Sequence, residues 1–149
     1  THYDVLLIEF DSHLGGIINN SDKINSIDNQ SPKAWVKETV EAIGHSKNIR
    51  ILKNTLVTTY NYINHLIAVE DKFVGAKPSE SKVNSTLHKI RTEHVLLCNG
   101  HIERFLSFQN NDLPGIMLAS SFEKYITRYG VLPSTEPIIF SNNSNTNSL

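Results

Sequence analysis

Glu9 stands near the end of the apolar run Tyr3 to Phe10 (YDVLLIEF), Gly15 and Gly16 follow it, and Asn99 and Gly100 close a second apolar run, Val95 to Cys98. These are residue types that a nucleotide site uses. A carboxylate at a strand end can accept hydrogen bonds from ribose hydroxyls, and glycine lets the backbone pass close to a ligand. Each has a plainer reading as well: a solvated carboxylate, or an ordinary glycine turn. Glu103 and Arg104 offer either an ion pair that positions a loop or a solvated pair of little energetic weight. Asn110, Asn111 and Asp112 before Pro114-Gly115 predict a turn bonded by its own side chains.

Other chemistries lack support. The seven histidines are scattered, with no HxH or HExxH grouping, so a metal site is not expected. GxSxG, paired catalytic carboxylates and a Cys-His arrangement are all missing from the sequence, which leaves nucleophilic and hydrolytic chemistry without candidates. Cys98 is the only cysteine; it excludes an internal disulfide, fits a reducing compartment, and in an apolar strand is expected to be inert packing. A formal net charge of −1 provides no basic field for a nucleic-acid backbone. No charged leader precedes a long apolar stretch and nothing approaches a membrane span, so the default expectation is a cytoplasmic protein.

At 149 residues, 39% hydrophobic and 19% charged, one soluble domain with a real core is expected over 1–141, and a fraying polar tail over 142–149. The apolar run at Tyr3 to Phe10 predicts a buried strand opening into a loop. Ser31-Pro32 and the apolar residues Trp35, Val36, Val40 and Ile43 predict an N-capped amphipathic helix covering one face of a sheet and closed by Gly44. Ile49 to Leu52 is a short strand, and Thr55 to Ile63, His65 to Val74 and Thr86 to Thr92 alternate as a three-stranded antiparallel meander, turning at Asn61 to Asn64 and Gly75 to Ser85. Val95 to Cys98 predicts a strand buried on both faces. Met117 to Tyr129 predicts a helix ending at Gly130, and Pro137 to Phe140 a last buried strand.

The segment CNGHIERFLSFQNNDLPGIMLA resembles the ATGAxERPxxFxNNDxPGVMLA segment of the alpha subunit of heterotetrameric sarcosine oxidase. KYITRYGVLP and IIFSNN are similar to that subunit's LNRYGVxPG and VVFTNND, and YDVLLI with DSHLGG extend the resemblance to the N-terminus. It covers nearly the whole chain, specifically in the C-terminal half and diffusely in the middle. The implied fold is an α/β FAD/NAD(P)-binding domain of the glutathione-reductase-like, Rossmann type, with an antiparallel β-meander. The G-x-G-x-x-G loop that normally follows the first strand of such a domain is absent, so the fold is expected to be truncated in its first βαβ unit. YDV runs almost directly into LLIEFDSHLGG, as if two strand remnants were spliced, with Glu9 as the acidic end of the second.

The resemblance implies NAD as cofactor, held by Glu9 at the ribose, by Gly15, Gly16, Asn99 and Gly100 where the chain passes the dinucleotide, and by Val57 and Thr58, whose backbone would meet adenine. A plain meander strand predicts the same residues at 57 and 58. Asn99-Gly100 replaces the family's Thr-Gly, and His101 and Phe105 stand where the family has a small residue and a proline. The implied activity is oxidative demethylation of sarcosine to glycine, formaldehyde and hydrogen peroxide, with FAD or FMN on a partner subunit and the beta, gamma and delta subunits as partners. This chain is then a cofactor-binding and docking piece of an oxidoreductase and not a catalyst on its own. The alternatives are the alpha subunit of a related amine, opine or proline dehydrogenase, a scaffold that no longer binds nucleotide, and a partial gene product.

Overall fold

The computed structural model describes residues 3–19, 24–72 and 84–142. The chain divides into two units, Thr1–Gly16 with Val36–Cys98, and Ile17–Trp35 with Asn99–Leu149.

The first unit holds two small sheets. Strand β1, Val5–Ile8, pairs in parallel with β2, Ile49–Leu52, in the register Val5 to Ile49 through Ile8 to Leu52. Between them in sequence runs helix α1, Pro32–His45, as a β-α-β order requires. The first turn of α1 is fixed as the sequence predicts: the amide of Ala34 donates to Ser31 Oγ at 3.3 Å, and Pro32 takes a position where no amide is needed. Gly44 does not close the helix. The last turn runs through it, and its carbonyls are taken by side chains: His45 Nδ1 donates to Glu41 O at 2.7 Å and Ser46 Oγ to Ala42 O at 3.0 Å.

The expected meander is present. Strands β3, Thr55–Asn61, β4, His65–Asp71, and β5, Ser85–Arg91, form an antiparallel sheet in the order β3-β4-β5. Alternation in β4 places Leu66 and Ala68 on the buried face. Phe73, Val74, most of the Gly75 to Ser85 turn and the tail from 143 lie outside the described residues. The buried residues among those described, Leu14, Val36, Leu52, Thr55, Leu66 and Ala68, all belong to this first unit. Thr55 is 1% exposed, and its hydroxyl donates to Lys53 O at 2.8 Å, which satisfies the polar atom it buries.

In the second unit, a two-residue turn at Asp28-Asn29 joins Ile27 to Gln30 by two backbone hydrogen bonds, and Trp35 Nε1 donates to Asp28 Oδ2 at 2.9 Å. Helix α2, Ala119–Tyr129, ends as expected at Gly130, which takes φ 64° and ψ 24° and returns its amide to Ile126 O. The Asn110 to Gly115 turn also forms: Leu113 N donates to Asn110 O at 3.2 Å and Asn111 Nδ2 to Leu106 O at 3.4 Å.

Three expectations about buried strands are corrected. Val95 to Cys98 forms no strand, Leu96 is 88% exposed, and Cys98 is an exposed thiol instead of inert packing. Pro137 to Phe140 likewise forms no strand, with Ile138 98% exposed. Tyr3 to Phe10 shortens to β1, whose Val5 and Leu6 are exposed. The physical reason is common to the first two. An apolar run becomes a strand only beside a neighbour that takes its hydrogen bonds, and the parallel sheet has two strands among the described residues.

Candidate functional site

In open parallel sheets, ligands gather beyond the carboxyl ends of the strands. Here that place is the loop after β1. The amide of Glu9 donates to Leu52 O at 2.8 Å and its carbonyl accepts from Thr55 N at 2.9 Å, so the end of β1 is tied to the end of β2 and the start of β3. Asn54 N donates to Asp11 O at 3.2 Å and tightens the same junction.

The Glu9 carboxylate is half-buried and turned toward its own loop, where Oε1 accepts from Asp11 N at 2.9 Å. Oε2 has no hydrogen-bond partner among the described residues. Gly15 and Gly16 take φ 114° and 50°, a region costly to residues with a Cβ, so the loop requires glycine there for its path. Asp11, Ser12 and His13 complete the loop: Ser12 Oγ donates to Asp11 Oδ1 at 3.2 Å and lies 2.7 Å from His13 Nδ1. Sequence reasoning passed over this hydroxyl and imidazole. Their signal was polar residues directly after an apolar strand.

Val57 and Thr58 lie farther along β3 at a β-bulge: Val57 pairs with Ala68 and Thr59 with Ile67, which leaves Thr58 unpaired. Its hydroxyl donates to Ile67 O at 3.2 Å in place of a ladder bond. Bulges loosen backbone groups from the ladder and are common beside binding sites, and alternation alone did not reveal this one.

Asn99 and Gly100 belong to the second unit. Gly100 has φ 63°, with nothing within 4 Å of where a Cβ would stand, so conformation and not crowding requires glycine. Glu103 of the neighbouring charged pair is engaged with helix α2, where its Oε2 accepts from Ser120 N at 2.8 Å.

None of the sequence-predicted residues lines the cleft of about 300 Å³ in the first unit, which is bounded by Leu6, Arg50, Leu52, His88, Lys89, Ile90 and Arg91. Among the described residues, no three His, Cys, Asp or Glu side chains gather as a metal site, and no helix is long and apolar enough to cross a membrane.

No family model matches the chain. It is 31% identical over 141 residues to the sarcosine oxidase alpha subunit of Corynebacterium sp. strain P-1, and 31% identical over the same length to that of Rhizobium meliloti strain 1021. A third alpha subunit, from Corynebacterium sp. strain U-96, is 28% identical. Each match covers 93% of this chain and 14% of the relative. The resemblance read from the sequence motifs is thereby shown: over nearly its whole length, this chain is similar to a stretch of sarcosine oxidase alpha subunits.

Proposed function

We propose that this chain is the NAD-binding part of a sarcosine oxidase alpha subunit and contributes to oxidative demethylation of sarcosine to glycine, formaldehyde and hydrogen peroxide. FAD or FMN is carried by a partner subunit, and the beta, gamma and delta subunits are the partners. The truncated Rossmann-type reading belongs to the same proposal. The observation that carries it is Glu9, held at the carboxyl end of a parallel strand with Oε2 still open as an acceptor.

The donor set fits the adenosine side of the dinucleotide. Glu9 Oε2 would accept from a ribose hydroxyl, the Gly15-Gly16 backbone would pass beside it, and the bulge at Val57 and Thr58 would offer main-chain groups to adenine. Asn99 and Gly100, which the resemblance adds, belong to the second unit. When bound, NAD supplies a nicotinamide ring able to exchange hydride; the residues of this chain bind and orient it.

Thermal unfolding of the full chain with NAD, and separately with FAD, tests the reading, because a ligand bound only by the folded state raises the transition by mass action. A concentration-dependent rise with NAD that is lost in a folded Glu9→Ala variant supports it. A flat response favours a scaffold that no longer binds nucleotide. That second reading draws on the unpaired run before Asn99-Gly100, where the relevant backbone has no strand to brace it.

A further inference from the structure

We propose that the cleft between β2 and the open edge of β5 binds a small oxyanion on an apolar stem, carried either as a carboxylate or as a phosphate. The proposal does not rest on the NAD reading, since Glu9, Gly15, Gly16, Val57 and Thr58 all lie outside the cleft.

Apolar Leu6, Leu52 and Ile90 line it together with basic Arg50, Lys89 and Arg91. Leu6 and Arg50 are register partners across β1 and β2, and Leu52 stands two residues beyond Arg50 on the same face. Opposite them is β5, an edge strand among the described residues. Thr92 N donates to Asn64 O and Lys72 N to Asn84 O, so along this register the hydrogen-bonded pairs are Leu66 with Ile90, Ala68 with His88, and Glu70 with Thr86. Lys89 and Arg91 therefore turn their backbone N–H and C=O groups away from β4, toward the open edge. That edge supplies amide donors, while alternation along β5 sets the side chains of Lys89 and Arg91 on the face opposite His88 and Ile90.

The charge around the cleft is one-sided. Arg50, Lys89 and Arg91 line it, no carboxylate does, and among the described residues none of the three forms an ion pair or a side-chain hydrogen bond. Glu70 on the adjoining strand is committed to His88, with Oε2 and Nε2 3.0 Å apart. Lysines on an edge strand commonly serve only to discourage strand addition. What distinguishes this edge is Arg50, which comes from a different sheet and faces the same space over Leu6, Leu52 and Ile90. A volume of about 300 Å³ at the small end of ligand sites suits one oxyanion and a few carbons.

The test is titration of the full isotope-labelled chain with sodium butyrate in one arm and butyl phosphate in the other, at matched low ionic strength. Saturable amide shifts at Arg50, Lys89 and Arg91 are expected in at least one arm, and the tighter arm names the oxyanion. Arg50→Ala should weaken that affinity about tenfold, as loss of a charge-assisted contact does. Arg50→Lys should weaken it less, and Lys37→Ala on helix α1 should leave it unchanged. Absence of saturable shifts in both arms, or full affinity in an Arg50→Ala variant with an otherwise native spectrum, overturns the proposal.

Discussion

Glu103 Oε2 accepts the backbone amide of Ser120 at 2.8 Å and caps helix α2 from 17 residues away. Leu118 stands at the N-cap position and provides no side-chain cap, so the amide of the second helical residue takes a remote carboxylate. The negative charge at this end also suits the helix dipole.

Removing the carboxylate should fray the first turn of α2. Glu103→Ala is expected to cost about 1 kcal/mol locally, read as a roughly fivefold loss of hydrogen-exchange protection at Ser120. Glu103→Gln keeps an acceptor and should retain most of the protection. Equal exchange in the Ala variant and the parent would dismiss the cap.

Ile63 occupies φ 59° at the β3-β4 turn, beside Asn64 at φ 48°. A β-branched residue is strained there, and Ile63 is exposed, so its side chain gains little by burial. Ile63→Asn should raise stability by about 1 kcal/mol, seen as a higher urea midpoint with an unchanged slope. A lower midpoint would mean that the isoleucine packs in a way its exposure does not suggest.

Cys98 is exposed and ends an unpaired run. Native chain should therefore react with iodoacetamide nearly as fast as chain in urea. Strong native protection would mean that Val95 to Cys98 is covered in solution.

Among the described residues the buried ones all lie in the first unit, and Leu96, Leu97, Ile102, Ile138 and Phe140 are open to solvent. We expect the isolated chain to bind an apolar dye in its native state and to unfold over a broad transition. A sharp, high-temperature transition of a monomer without dye binding would refute this.

Much of the local structure was legible in the residues. Ser31-Pro32 starts α1, Gly130 in the left-handed region stops α2, and the alternation in His65–Asp71 and Ser85–Arg91 marks two meander strands. Gly44 misled because a glycine marks a stop only where φ turns positive; here the side chains of His45 and Ser46 hold the last carbonyls. The candidate site was legible in part. Glu9 does follow a parallel strand, whereas the bulge at Thr58 depends on how β3 meets β4.

The sequence by itself determined the caps, the turns and the likeness to sarcosine oxidase alpha subunits, because each rests on residues close together in the chain or on their order along it. Tertiary structure alone decided which apolar runs became strands, that Glu103 serves Ser120, and that Arg50 shares a cleft with Lys89 and Arg91. Strand pairing and remote capping are hydrogen bonds between distant segments, and no local pattern specifies the partner. Val95 to Cys98 has the composition of a buried strand and forms none, since a strand requires a neighbour to take its hydrogen bonds.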